Sequence, residues 1–210
     1  MKRPLFIYGA GGLGREILSL IRALNQWEPE GFIDDAVAAG EMIKGIPVFG
    51  GIGVLKNIDG PVNMVLAIGD PVVKQTLVKT LSRYDVRYPV LVHPAAVLQD
   101  PSSIVLGSGC VIGAGCVLTT DIQLGDHVLV NLNTTIGHDT RIGSCTSIMC
   151  GVNVAGEVTI GESVMVGSGA CILNRITIGS QCRIGMSAAV VNNVADQLTV
   201  IGVPAKPIGR

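Results

Sequence analysis

Only three histidines occur in the chain, and one of them has the neighbours of a general base. His138 stands in the run Ile136-Gly137-His138-Asp139-Thr140, directly before a carboxylate. A step of eighteen residues places Thr120 and Gly156 on either side of it, and sets Asp139 between Asp121 and Glu157. Carboxylates around an imidazole fix its tautomer and raise its basicity, so proton abstraction from an attacking group is the chemistry to expect. Gly156 has no side chain and is expected to leave room for a substrate to approach backbone beside the ring. The alternative is a solvated acidic edge without chemistry. His127, next to Asp126, is expected at a solvated corner, and His93, before Pro94, in a structural turn. Histidines 127 and 138 lie eleven residues apart and share no corner when the step is six, so no three-ligand zinc site is expected.

A second constellation lies near the start. Leu5-Phe6-Ile7-Tyr8 reads as a strand, and Arg15 to Asn25 as a helix with Ile17, Leu18, Ile21 and Leu24 on one face. Between them Gly9, Gly11, Gly12 and Gly14 give G-x-G-x-x-G spacing. Backbone N–H groups and a helix N-terminus there could hold a diphosphate, or the glycines could serve only the packing of a βα turn. Asp34 and Asp35 end the next strand, Glu30-Gly31-Phe32-Ile33, where a carboxylate can accept from a ribose hydroxyl. Further strands are expected at Gly45–Phe49, Val62–Ile68 and Arg87–Val92, with helices through Val54-Leu55 and from Pro71, the latter apolar at Val73, Leu77, Val78 and Leu81. About ninety residues of alternating strands and helices imply a small parallel, Rossmann-like α/β domain over 1–93. That length suits a mononucleotide or nucleotide-sugar better than NAD.

What must position His138 is a repeat. From Leu106 to Ala195 an aliphatic residue opens every sixth position, and a small or apolar residue follows four places later. Such a period suits a solenoid in which each hexad makes one short strand and one corner. Gly107, Gly125, Gly143, Gly161 and Gly179 recur every eighteen residues, which predicts three hexads per coil and five coils. Positive-φ corners are the expected reason for that row. With coils about 4.8 Å apart, the prism would stand about 24 Å tall. Residues 94 to 105 read as a joining segment, and 198 to 207 as an irregular cap over the last coil. The second domain, 94–210, is therefore a parallel β-helix.

Composition narrows the function. A net charge of −1, no basic block and 3 % aromatics disfavour nucleic acid as a partner. Pro101–Thr120 carries no charge, but its glycines keep the hexad phase, which no spanning helix requires. No signal peptide is expected, since Gly9–Gly14 interrupts the first apolar run. None of the six cysteines forms a CxxC pair; Cys110, Cys116 and Cys182 sit at inward positions, and a reducing cytoplasm is expected.

These residues resemble the sugar O- and N-acyltransferases of the left-handed β-helix, or hexapeptide transferase, superfamily. The likeness is carried by Ile7-Tyr8-Gly9-Ala10-Gly11-Gly12, Phe32-Ile33-Asp34-Asp35, Ala67-Ile68-Gly69-Asp70, His93-Pro94, the hexads, and Gly202-Val203-Pro204-Ala205-Lys206. Within that superfamily the chain especially resembles the sialic-acid O-acetyltransferase and the bacterial UDP-4-amino-sugar N-acetyltransferase types. The resemblance implies left-handed coils, a homotrimer and acetyl-CoA bound between adjacent prisms. It implies His138 as the base, Asp139 as the acid beside it, and Asn131 near the acceptor. The Gly156 backbone would face the acetyl carbonyl, with Ser168 to Asn174 and Gly202, Pro204 and Lys206 lining the CoA site. Gly9–Gly14 with Asp34 or Asp35 would hold the nucleotide of an activated sugar. The activity implied is N-acetylation of a nucleotide-linked 4-amino sugar in surface glycan biosynthesis. The rivals are O-acetylation of a sialic acid or other sugar hydroxyl, serine-type transfer, and a non-catalytic scaffold. Leu13-Gly14-Arg15, with Arg15 in particular, and Ser147 stand where relatives often carry histidine.

Overall fold

The computed structural model describes residues 2–209. Its first half is a four-stranded parallel sheet flanked by two helices. Strands β1 (Arg3–Tyr8), β2 (Trp27–Ile33), β5 (Val62–Leu66) and β6 (Val86–Arg87) stand in the order β2-β1-β5-β6. Between β2 and β5 the chain makes a small hairpin, β3 (Met42–Ile43) with β4 (Ile46–Pro47), and a 3₁₀ turn over Ile52–Asn57. Helix α1 (Gly12–Leu24) packs Ile17, Leu18 and Ile21 under the sheet. It begins at Gly12, three residues before the expected Arg15, so the glycine turn runs straight into its first turn.

Helix α2 (Pro71–Leu81) departs from its expected face. Leu81 is buried, but Val73 is 54 % exposed, and the charged Lys74 is buried beside it. Hydrophobic periodicity placed Val73 against the sheet; docking of the helix N-terminus onto the second half of the molecule turned Lys74 inward instead.

The second half is a parallel β-solenoid of about six turns, matching a left-handed β-helix. Its three faces are ladders of two-residue strands. Leu91–Val92 begins the first face and Val97–Leu98 the second, each in parallel register with the coil above. The expected strand Arg87–Val92 is thus divided at Tyr88-Pro89-Val90 between two different sheets. The supposed joining segment is itself the first coil. It escapes the hexad phase because Val97 pairs with Val117, twenty residues on, whereas Val105 pairs with Gln123, eighteen on. Two extra residues at the Asp100–Ser103 turn account for the difference. The cap is also more regular than expected: Thr199–Ile201 continues the first face, and Lys206–Pro207 closes it as an antiparallel edge.

Openers and fourth-following residues fill one apolar core from Cys110 to Val200. Three buried threonines belong to it, each hydroxyl donating to a corner carbonyl: Thr134 to Met149 at 3.0 Å, Thr140 to Ala155 at 3.3 Å and Thr146 to Gly161 at 2.9 Å. Burial without such partners would cost about 1–3 kcal/mol each.

The glycine row is present, but not for the reason expected. Gly107, Gly125, Gly143, Gly161 and Gly179 are absent from the positive-φ positions, which lie two residues further along at Gly109, His127, Cys145, Ser163 and Gln181. A Cβ at Gly143 would instead lie 2.6 Å from the Gly161 carbonyl carbon in the coil above. The row exists because stacked corners approach too closely for any side chain. Among the described residues no helix is long and apolar enough to cross a membrane, and all six cysteines are unpaired thiols.

Candidate active site

His138 stands on the corner between the second and third solenoid faces. Asp139 turns that corner at φ 57°, a left-handed conformation that aspartate tolerates better than most residues. Backbone bonds hold the corner from both sides: Asp139 N–H donates to the Thr120 carbonyl (3.2 Å) and Glu157 N–H to the His138 carbonyl (2.7 Å). His138 Nδ1 lies 2.8 Å from Asp139 Oδ2, and the imidazole is 56 % exposed. A carboxylate can only accept, so Nδ1 carries the proton and Nε2 presents its lone pair.

The room at Gly156 is taken by the ring itself. A Cβ on Gly156 would lie 2.5 Å from Nε2 and 2.6 Å from Cε1 of His138. Glycine is required there so that the imidazole can lie across the backbone. The acidic column resolves into separate pairs: Asp121 accepts from Thr120 Oγ1 (2.9 Å), and Glu157 is bound by Arg175 (3.1 Å). One carboxylate, that of Asp139, serves His138.

The glycine turn is built from unequal parts. Gly9 has φ 105°, and a Cβ there would lie 2.8 Å from the Ala67 carbonyl; at Gly14 it would lie 2.1 Å from the Gly9 carbonyl oxygen. These two serve packing. At Gly11 and Gly12 nothing lies within 4 Å, so this part of the turn is open to a ligand. Asp34 holds the turn, accepting from the N–H groups of Ala10 (2.8 Å) and Ala36 (2.9 Å). Asp35 accepts from Ile52 N–H (3.0 Å) and from the Tyr8 hydroxyl. Burial, and then that bond to Asp35, raise the Tyr8 pKa.

The remaining residues fall on two corners. Asn174 stands two coils above His138, in the same column as Gly156. Asn131, Ser168 and Gly202 belong to the corner on the other side of the second face. Asn131 bends over its own chain, its Oδ1 accepting from Leu132 N–H (2.8 Å). It lines a cavity of about 210 Å³ between α1 and the solenoid, together with Leu13, Glu16 and His93. A different groove, of about 340 Å³, runs over the second face past Ala155, Leu173 and Val191. Within one chain, then, the glycine turn and Asn131 share one side of the second face, and His138 takes the other. Pro204 follows a cis peptide bond after Val203, and Lys206 lies exposed on the antiparallel edge strand.

Three features escaped the sequence reading. His127 is buried at 7 % exposure, its ring edge-on to Tyr88 at 4.6 Å, and burial lowers its pKa. Gly109, eighteen residues before it, was the available signal: a Cβ there would lie 2.5 Å from the imidazole. Asp70 caps α2 by accepting from Val72 (2.9 Å) and Val73 (3.1 Å), and pairs with Arg183 of the solenoid at 2.7 Å. Burial pushes the Asp70 carboxyl up, but Arg183 and the two N–H groups outweigh it and hold the pKa below the usual value. Its stabilising effect is therefore complete above about pH 4 and is lost as acid takes the protein through that depressed value. Asp70→Ala is expected to cost about 1–2 kcal/mol in urea unfolding, and Asp70→Asn, which keeps a capping oxygen, clearly less. Lys74 is the third feature. Nothing in the helix pattern announces its burial. Among the described residues no group of three or more His, Cys, Asp or Glu side chains is placed to hold a metal ion.

Comparison with known proteins finds likenesses over both halves of the chain. Residues 4–81 match the family described as the PglD N-terminal domain. The acetyltransferase domain of PglB from Neisseria gonorrhoeae shares 31 % identity, over 99 % of this chain and 100 % of that one, with a TM-score of 0.91. PerB from Caulobacter crescentus, solved with CoA and GDP-perosamine, shares 30 % identity over 98 % and 97 %, with a TM-score of 0.90. WeeI from Acinetobacter baumannii shares 26 % identity over 99 % and 100 %, with a TM-score of 0.90. No curated protein sequence matches the chain significantly. Spanning both halves of these structures at such identity, the chain belongs to the hexapeptide-repeat sugar N-acetyltransferases.

Proposed function

We propose that the protein moves an acetyl group from acetyl-CoA to the amino group of a nucleotide-linked sugar, such as a 4-amino-deoxy sugar, in surface glycan biosynthesis. The observation that carries this reading is the His138–Asp139 pair at 2.8 Å, lying across Gly156 on an exposed corner. Support comes from the relatives: PerB was solved with CoA and GDP-perosamine, and the PglB domain with acetyl-CoA.

The acceptor amine attacks the thioester carbonyl while His138 Nε2 takes its proton. The new C–N bond gives a tetrahedral oxyanion; its collapse breaks the C–S bond, and the leaving CoA sulfur takes the proton back from the His138 imidazolium. Asp139 keeps Nδ1–H in place and stabilises the imidazolium. The Gly156 N–H, which has no acceptor among the described residues, is the donor proposed for the oxyanion. Orientation supplies much of the rate, and no covalent enzyme intermediate is required. Gly11 and Gly12 with Asp34 and Asp35 form the nucleotide end of the acceptor site, on a turn whose packing Gly9 and Gly14 permit. Ser168, Asn174, Gly202, Pro204 and Lys206 form the CoA site.

A homotrimer, as the family resemblance implies, would let a neighbouring copy bring its His138 across the separation between this chain's Asn131 cavity and its own His138 corner. The six unpaired thiols support a reducing cytoplasm.

Gly156→Ala tests the ring placement. Its Cβ must displace the imidazole, so kcat should fall by about tenfold or more while thermal stability changes little. The reading as a whole is tested by thiol release from acetyl-CoA with a panel of 4-amino and hydroxy nucleotide-sugars. Turnover confined to the 4-amino compounds is expected. Turnover of the hydroxy compounds alone would reject it.

A further inference from the structure

The two halves of the molecule meet over a buried charge. Lys74, in the first turns of α2, is 2 % exposed. Its Nζ donates to Ser147 Oγ at 2.9 Å and towards the Thr146 carbonyl at 3.4 Å, both on the solenoid. Cys145, Cys110 and Asp70 are the titratable groups that favour its charge, yet desolvation prevails and draws its pKa down to about 8. Burying an ammonium is costly, and an apolar side chain of similar volume would commonly serve stability as well or better. A lysine retained at such a place therefore calls for a geometric reason.

Its surroundings supply one. Four residues before it, Asp70 both caps α2 and receives Arg183 from the same solenoid face at 2.7 Å. Just before that lies Gly69, where a Cβ would stand 3.7 Å from Met149 and 3.9 Å from Leu13 of the glycine turn. Met149 is two residues past Ser147 and one coil above Asn131. The two polar contacts thus pin the N-terminus of α2 to the solenoid, and with it the Gly69 loop that follows β5 and lies between Leu13 and Met149. Apolar packing alone is non-directional and tolerates sliding along a ladder of near-identical rungs. A lysine that must meet one hydroxyl and one carbonyl specifies a single rung.

We propose that Lys74, seated on Ser147, is a positioning residue that sets the register between the nucleotide-holding end of the N-terminal sheet and the acceptor corner of the solenoid. This inference rests on the proposed function. It touches neither the reacting atoms nor the His138 corner.

The test is steady-state kinetics of Lys74→Met in the full chain, with a nucleotide-4-amino-sugar as variable substrate. We expect its KM to rise about tenfold or more, with kcat and the KM for acetyl-CoA within about threefold of wild type. Thermal stability should stay within about 5 °C, because relief of ammonium burial opposes the orphaning of the Ser147 hydroxyl. Ser147→Ala should raise the same KM, and the double variant should be no worse than the poorer single one. An unmoved acceptor KM in Lys74→Met, additive effects of the two changes, or a rise in KM that follows a general loss of stability would each overturn the positioning role. If wild type turns over no nucleotide-amino-sugar, the function reading falls and takes this one with it. Wild-type turnover with an indifferent Lys74→Met removes the positioning role alone.

Discussion

His138→Ala is expected to lower kcat by about 10²–10⁴-fold, the usual cost of losing a general base, while acetyl-CoA still binds. The geometry sets this expectation more firmly than the histidine's presence does. Nδ1 is committed to Asp139 at 2.8 Å, so Nε2 is the free base, and the ring is 56 % exposed on a corner that a substrate can reach. The corner backbone is pinned by bonds to the coils on both sides, from Asp139 N–H and Glu157 N–H, so removal of the side chain should leave the fold intact. The ring contributes little packing beyond Gly156. Single-turnover rates with saturating acceptor, alongside calorimetric titration with acetyl-CoA, separate the two properties. A variant that turns over the right acceptor at nearly the wild-type rate would remove His138 from the chemistry.

Gly161→Ala carries the largest expected effect on stability, about 3 kcal/mol or more. Its Cβ would lie 2.6 Å from the Ser180 nitrogen and 2.8 Å from the Ser180 Cα. Backbone cannot turn aside as a flexible side chain can. Moving the upper coil would stretch ladder bonds already at 2.8 Å, from Gly161 N–H to Ile178 and from Gln181 N–H to Glu162. Gly151 provides the control. Its φ is +68°, and nothing lies within 4 Å of a Cβ built there. Gly151→Asn introduces a residue that tolerates the left-handed region and should cost about 1 kcal/mol or less. Chemical denaturation of both variants tells the two explanations apart. If conformational freedom were the demand behind the eighteen-residue row, Gly151→Asn would prove the more damaging.

How much of this was legible beforehand differs between the halves. In the solenoid, period and phase specify which side chains point inward, because each hexad meets the same surroundings as the next. The rule fails where the coil length changes. Val105 pairs eighteen residues on but Val97 twenty, and Arg183 pairs with Thr199 only sixteen on, so the first and last coils lost their phase. In the N-terminal half the βα turn was legible from its glycines. The division of labour among them was not, since Gly9 and Gly14 answer to atoms of the β5 loop and the turn itself, while Gly11 and Gly12 face open space.

His138 with Asp139 and Gly156 is a relation within the repeat, and the step of eighteen was enough to align them. Local sequence alone also determined the two-part architecture and the inward thiols of Cys110, Cys116 and Cys182. Only the tertiary structure decided that Val73 faces water and Lys74 does not, that Asp70 meets Arg183, and that the Asn131 cavity and the His138 corner lie on opposite sides of one face. Periodicity describes a residue's surroundings when they are supplied by its own element. These residues take theirs from contacts between the two halves, over sequence separations as large as 113 residues, which no pattern along the chain encodes.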